Sequence, residues 1–373
     1  MTATFHWHPD TRLIGAAPDL MALRQAVATG RGLHCGVAGV TTHAGKEVLC
    51  ETSGSSGAPK VIRRSVPSWQ ASFAVNGAAL DLGRSDGVAV FSGFGASLAL
   101  YGLLEGAHYG MALLSLSHLA PQRWADALIT ARTTLLYVTP TQLALVCATG
   151  RVLPDVRHVM VGGGHLTATT TATARSVCPG ARLTQFYGAA ETSFISWTDD
   201  STPHGSVGRP YPGVTLRLDA DGLIRVRSPY LFDSYAQGTS VDTAWSDGFL
   251  TVGEMGWLDD AGNLFIMGRR SRMVTVADHN VFPDVAEAFL SGLIPGAAVA
   301  VVALPDATRG ARLVAFVAGS MAGMTADDLR RACRDALGPH AAPHRIHKVA
   351  ALPTLPAGKF DYTAIVALAR SLT

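Results

Sequence analysis

The stretch Glu51-Thr52-Ser53-Gly54-Ser55-Ser56-Gly57-Ala58-Pro59-Lys60-Val61-Ile62-Arg63-Arg64 decides how the rest of the chain is read. Small hydroxylated residues interleaved with glycines let backbone N–H groups curl toward an anion, and Lys60 adds a point charge. A loop of this kind holds a polyphosphate. It is not the Walker pattern, which needs four residues between its glycines and then Gly-Lys-Ser/Thr. Here Gly54 and Gly57 are three apart and Pro59 precedes Lys60. A plain surface turn has the same composition, so the reading rests on the other landmarks.

Composition narrows the field. The chain has 373 residues, 48% hydrophobic and 16% charged, which excludes a disordered protein and allows two or three structural units. Thirty Lys and Arg against 28 Asp and Glu leave a net charge of +2, so no nucleic-acid partner is expected. The five cysteines (Cys35, Cys50, Cys147, Cys178, Cys333) show no C-x-x-C pair, hence neither a zinc ribbon nor a disulfide framework. The first residues lack the basic and apolar run of a secretory signal, and no apolar stretch reaches the roughly 18 residues of a membrane span. A cytoplasmic protein without a membrane partner is expected. His6 and His8 alternate as two ligands on a strand would, but nothing is spaced to complete a metal site.

Outward from the loop, strands and helices alternate. Residues 19–29 have helical periodicity with Asp19 as the cap, and 33–40 and 47–50 read as strands. Helices are expected at 68–82, 98–109 and 123–131, and strands at 87–91, 111–116, 134–138, 156–161 and 183–186. That order predicts an α/β domain built on a mostly parallel, covered sheet. Gly162-Gly163-Gly164 follows one strand, and Tyr187-Gly188-Ala189-Ala190-Glu191 follows the next. Ligands of open α/β sheets sit at such carboxyl ends, so both stretches are expected to face one crevice. From about 205 to 269 short strands and turns predict a small β-rich subdomain, and 270–373 reads as a compact α+β unit. The domain division is therefore 1–269 and 270–373. The last landmark is Leu352-Pro353-Thr354-Leu355-Pro356-Ala357-Gly358-Lys359.

Four segments in this order (TSGSSGAPK, FYGAAETS, GEMGWLDDAGNLFIMGR and LPTLPAGK) resemble the adenylate-forming superfamily of acyl-CoA synthetases, adenylation domains and luciferases. The texture is most similar to bacterial acyl-CoA ligases. The resemblance covers Cys50 to the C-terminus. It implies that fold, with a small mobile C-terminal α+β domain, and a two-step reaction. A carboxylate attacks the α-phosphorus of ATP to give an acyl adenylate and pyrophosphate; a thiol, of CoA or of a carrier protein's phosphopantetheine, then displaces AMP.

By the same resemblance Thr52, Ser53, Gly54, Ser55, Ser56, Gly57 and Lys60 hold the β- and γ-phosphates. Gly163, Gly164 and Tyr187, with Gly188, Ala189 and Ala190 beside them, form the adenine site, where Tyr187 stacks. Glu191 holds Mg²⁺, a hard cation suited to carboxylate and phosphate oxygens. Glu254 takes the ribose hydroxyls with Arg269 in support, and Ser271 is the hinge. Lys359 bridges the carboxylate and the α-phosphate, where charge concentrates in the transition state. Ser92 stands where amino-acid-activating members carry an aspartate, so a small carboxylic acid without an α-amino group is implied. Phe94 and the small residues around it, with Gly163, suggest an apolar acyl slot.

Departures from the family pattern are also visible. The segment ahead of the phosphate loop is short, which implies that most of the first subdomain is missing and that a homo-oligomer covers the exposed flank. Ala190 replaces a hydroxyl that contacts the α-phosphate, a loss of about 1.5–3 kcal/mol. Glu254 replaces an aspartate. Thr275 and Asp278 replace a lysine and a glycine in the loop that serves thioester formation. An Asp can occupy a left-handed backbone conformation, though less readily than Gly, and its charge there bears on the second half-reaction. Two other readings stay open: an acyl-AMP ligase that delivers to a carrier protein or an amine, and a nucleotide-binding protein without turnover.

Overall fold

Val88, Val90, Leu113, Leu135, Tyr137 and Met160 belong to one buried cluster, whereas Ala89, Leu114, Leu136, Val138, Val159 and Val161 belong to another. Adjacent residues of short apolar strands thus face opposite sides, as in a sheet covered on both faces. The computed structural model that shows this describes residues 4–15, 17–52, 60–164, 166–354 and 360–372. The chain forms two compact units, one of residues 1–217, 225–252 and 258–265, the other of 218–224, 253–257 and 266–373.

In the first unit the main sheet has the order Arg12–Leu13, Ala112–Ser115, Gly87–Val90, Leu135–Val138, His158–Val161, Arg182–Ala189, Ser193–Trp197, Arg209–Pro210. Pairing is parallel up to Arg182–Ala189 and antiparallel beyond it. Helices Val66–Leu80 and Ser97–Tyr109 cover one face through Trp69, Phe73, Leu100, Leu103 and Leu104. Helices Trp124–Ala131, Pro140–Ala148 and Ala168–Val177 bury residues in the other cluster. A second sheet runs Ser234–Gln237, Lys60–Arg64, Val48–Thr52, Gly32–Gly36, Gly39–His43, and a four-stranded sheet forms the β-rich part.

The first cluster also encloses a polar network. Glu105, 0% exposed, accepts hydrogen bonds from the Tyr137 hydroxyl (2.6 Å), Asn76 Nδ2 (2.9 Å) and the Tyr101 hydroxyl (3.3 Å). Tyr211 in turn donates to Asn76 Oδ1 at 2.7 Å. All the donors to the carboxylate are neutral. Burial pushes the Glu105 carboxyl up to about 7, against the pull of its donors.

In the second unit, strands Ala298–Asp306, Gly310–Ala318 and Arg345–Val349 form a sheet. Val299 and Val301 face one cluster with helices Pro283–Leu293 and Ala326–Ala341, while Ala300, Val302 and Leu304 face another with Tyr362–Ser371. Arg272 forms the polar joint here. It bonds Asp284 Oδ1 (2.7 Å), Glu287 Oε2 (3.2 Å) and the Val301 carbonyl (2.8 Å), and the Tyr362 hydroxyl donates to Glu287 Oε1 at 2.7 Å.

Several sequence expectations need correction. The strand expected over 33–40 is a hairpin that turns at 36–39, where Gly39 has φ +107°. Asp19 is not the cap of its helix: Ala17 is, with Pro18 in the first turn, and the Asp19 carboxylate accepts instead from Ser115 Oγ at 2.6 Å. Tyr187, Gly188 and Ala189 do not follow a strand but lie within Arg182–Ala189. Among the described residues no helix is long and apolar enough to cross a membrane.

Candidate active site

The strand Val48–Thr52 leads into the glycine-rich loop and Lys60–Arg64 leads out, with Thr52 and Lys60 as register partners. The loop is thus the connection of a β-hairpin, and its two ends are fixed. Ser53, Gly54, Ser55, Ser56 and Gly57 lie outside the described residues, as does Lys359. Along the outgoing strand Lys60, Ile62 and Arg64 are 8%, 0% and 3% exposed, while Arg63 is exposed. Lys60 and Arg64 thus share a face with Ile62, while on the opposite face Val61 is buried and Arg63 exposed.

Arg64 is one of the residues the sequence reading missed. Its guanidinium donates to the Ala190 carbonyl from Nη1 (2.7 Å) and to the Tyr230 carbonyl from Nη2, and it lies 5.7 Å from the Trp69 ring centroid. No carboxylate lies within ion-pair distance of it among the described residues. Burial pulls Arg64 down to about 10, partly offset by nearby negative groups, so it stays charged at neutral pH. A buried cation held by two main-chain carbonyls fixes the backbone that carries those carbonyls. Here that backbone is the turn before Glu191.

That turn is tight. The hairpin joining Arg182–Ala189 to Ser193–Trp197 has a register shift between Tyr187 and Gly188. A Cβ on Gly188 would lie 1.7 Å from the Ser193 carbonyl oxygen, so only glycine fits. Thr192, fully buried, donates no further than its own turn: Ala189 N–H donates to Thr192 Oγ1 at 2.9 Å and Thr192 N–H to the Ala189 carbonyl at 3.1 Å. Glu191 is consequently presented on a rigid tip. Its main-chain carbonyl accepts from Phe232 N–H (2.8 Å), and its Oε1 accepts from the Tyr235 hydroxyl (2.7 Å). Among the described residues nothing hydrogen-bonds its Oε2.

Gly163 and Gly164 are exposed just beyond His158–Val161, which pairs in parallel with the strand of Tyr187. Gln185 Nε2 donates to the Gly164 carbonyl at 3.4 Å, which ties this turn to a residue two before Tyr187. Gly163 has φ +82°, but the stricter requirement falls on Gly162, where a Cβ would stand 2.2 Å from Phe186 Cζ. The two glycine-containing stretches thus meet at the carboxyl ends of adjacent strands.

Ser92 follows Gly87–Val90, and its hydroxyl accepts from Gln142 Nε2 at 2.7 Å. Gln142 is itself held by the capping box with Thr139, so the helix start Pro140–Ala148 sets the position of Ser92. Gln142 is a second residue the sequence reading missed. Phe94 is 5% exposed within the first core cluster, a wall residue and not a mouth residue.

In the second unit, Glu254 Oε1 lies 3.9 Å from Arg269 Nε. Ser271 sits in the 3-10 turn Arg270–Arg272, whose first N–H donates to the Gly253 carbonyl at 2.8 Å and whose last residue is the half-buried Arg272. Thr275 and Asp278 belong to the hairpin of Val274–Val276 and His279–Val281. Asp278 has φ +66° and Ala277 has φ +48°, so both central residues of this two-residue turn are left-handed.

Lys60 is a buried ammonium suited to an anion, and Glu191 is a firmly held carboxylate whose Oε2 accepts no hydrogen bond among the described residues, suited to a hard cation. Solved structures share this arrangement of elements. The chain superposes on o-succinylbenzoate CoA synthetase from Bacillus subtilis, in complex with an acyl-adenylate intermediate, with a TM-score of 0.75 at 22% identity, covering 85% of this chain and 68% of that one. It superposes on an amide bond synthetase from Marinactinospora thermotolerans with a TM-score of 0.74 at 25% identity, covering 88% and 71%. The class is that of adenylate-forming enzymes. The family model for AMP-binding enzymes matches residues 48–236, and that for the AMP-binding enzyme C-terminal domain matches 285–359. The chain belongs to the AMP-binding enzyme family. Curated relatives include an uncharacterized acyl–CoA ligase of Bacillus subtilis (28% identical, covering 83% of this chain and 65% of that protein). A putative long chain fatty acid–CoA ligase of Staphylococcus epidermidis is also 28% identical, over 72% of this chain and 60% of its own length. The chain thus spans less than two thirds of the length of these two relatives.

Proposed function

We propose that this protein activates a carboxylic acid as its acyl adenylate with ATP and passes the acyl group to a thiol, with CoA as the acceptor. The observation that carries this reading is the three-point fixation of the Ala190–Glu191 turn by Arg64, Phe232 and Tyr235, directly against the strand that leaves the anion loop. Phosphate-binding and carboxylate groups are thereby held in one piece of structure.

Within this reading a carboxylate oxygen attacks the α-phosphorus of ATP and pyrophosphate leaves; the thiolate sulfur then attacks the acyl carbonyl and AMP leaves. Lys60, on the buried face of its strand, and the loop from Thr52 bind the β- and γ-phosphates. Glu191 would hold Mg²⁺, which would supply positive charge to offset that of the departing pyrophosphate. Tyr187 with Gly163 and Gly164 receives adenine, and Glu254 with Arg269 receives the ribose hydroxyls. Lys359 supplies the positive charge at the α-phosphate. Ser92, held by Gln142, supplies no carboxylate to pair with an ammonium, so the acid lacks an α-amino group. Residues 1–269 and 270–373 act as the two domains of the cycle, with Ser271 as hinge.

A second acceptor, an amine, is favoured by Asp278, whose carboxylate stands at the tip of the hairpin that serves the second step, and by the likeness to an amide bond synthetase. Lys359→Ala tests the assignment of the first step. It should reduce carboxylate-dependent ATP–pyrophosphate exchange by about a hundredfold or more while sparing thioester formation from a supplied acyl adenylate. Exchange at the native rate would show that Lys359 has no part in adenylation.

A further inference from the structure

Lys60 and Glu191 carry opposite charges at one end of the site, yet no nitrogen–oxygen contact within 4.0 Å joins them. Tyr235 lies in contact with both. Its ring centroid is 5.7 Å from the Lys60 ammonium, and its hydroxyl donates to Glu191 Oε1 at 2.7 Å while sharing a hydrogen bond with Thr243 Oγ1 at 2.9 Å. The backbone sets this up. Ser234–Gln237 pairs antiparallel with Lys60–Arg64, with Tyr235 opposite Ile62, and a register shift between Tyr235 and Gln237 re-aims the side chain. Phe232, 3% exposed, packs edge-on against the Tyr235 ring at 5.0 Å, and its N–H holds the Glu191 carbonyl.

We propose that Tyr235 is a positioning residue that keeps Lys60 and Glu191 from pairing with each other, so that the ammonium stays available to phosphate and Glu191 Oε2 to the metal ion. The inference rests on the function proposed above and adds a role that none of the four motif segments contains. The chemistry is simple. An ammonium and a carboxylate that both contact one ring, partly desolvated, attract strongly when nothing separates them. An aromatic face satisfies the ammonium without neutralising it, and a phenol satisfies one carboxylate oxygen without transferring its proton.

The test is calorimetric titration with ATP, with and without Mg²⁺, of the native protein and Tyr235→Phe, with thermal melting to establish that each folds. Tyr235→Phe keeps the ring beneath Lys60 and removes only the hydroxyl. It should leave ATP affinity without Mg²⁺ within about twofold and weaken the Mg²⁺-dependent gain about tenfold, the loss expected for one hydrogen bond to a charged acceptor. Tyr235→Leu removes the ring as well, and should weaken binding in both conditions. If Tyr235→Phe keeps the full Mg²⁺ gain, or loses affinity equally with and without Mg²⁺, the positioning role is overturned while the functional proposal stands. Native protein that binds no ATP overturns both. Thr243→Val, which frees the phenol to rotate away from Glu191, should show the same selective loss at about twofold to fivefold. It serves as the measurement should Tyr235→Phe fail to fold.

Discussion

Glu105→Gln is the substitution whose consequence follows most directly from the geometry. The Glu105 carboxyl is fully buried among neutral donors, and burial raises it from an ordinary 4.5 to about 7. In the native state it therefore keeps its proton through a range in which the unfolded chain has already released it. The native state binds more protons between pH 4.5 and 7, so unfolding free energy falls as pH rises across that window and is level above it. The size is about 2.5 pH units at 1.36 kcal/mol each, or roughly 3 kcal/mol, an order-of-magnitude figure. Glutamine has the same shape, carries no titrating proton, and still offers an acceptor to Asn76 and Tyr101 and a donor to the Tyr137 oxygen. Urea unfolding followed by tryptophan fluorescence is a suitable assay, because Trp7, Trp69, Trp124, Trp197 and Trp245 all fall in the first unit and only Trp257 in the second. Near pH 5 the variant should match the native protein within about 1 kcal/mol; at pH 8 it should be about 2–3 kcal/mol more stable. A pH 5–8 stability profile unchanged by the substitution would refute the reasoning, since the slope would then come from other groups.

Arg64→Met removes both donors to the Ala190 and Tyr230 carbonyls, worth about 1.5–3 kcal/mol each, and relieves the burial of an unpaired cation. A net loss of about 3 kcal/mol is expected in the same urea assay, and native-like stability would show that the guanidinium is not the anchor of this turn. Ala277→Gly replaces a residue held at φ +48°. Relief of left-handed strain outweighs the added chain entropy, so calorimetry should show stabilisation of the second unit by about 0.5–1 kcal/mol, and a lowered melting temperature would count against the turn geometry.

Much of the sheet was legible because buried parallel strands such as Gly87–Val90 and Leu135–Val138 are runs of apolar residues between helical segments. The 33–40 region was not, because its turn is Gly36-Val37-Ala38-Gly39, in which Val37 is apolar and yet 91% exposed. Ala168–Val177 carries four threonines, weak helix formers that hid a helix begun by the Thr167 cap. In the site, the glycine loop, Glu191 and the glycine turn announced themselves by composition and order. Arg64 reads as half of a surface pair with Arg63, and only strand alternation separates the buried member from the exposed one. Tyr235 leaves no signal at all, since its aim depends on a register shift two residues from a pairing partner.

The central claim is that the Glu191 turn and the hairpin ending at Lys60 are two halves of one apparatus for joining a carboxylate to AMP. ATP–pyrophosphate exchange by the native protein, screened over fatty, aryl and small branched acids, tests it most directly. The account expects exchange that requires both Mg²⁺ and one class of non-amino acid, and that collapses in Glu191→Gln. A protein that binds ATP yet shows no acid-dependent exchange with any member of the panel would contradict it.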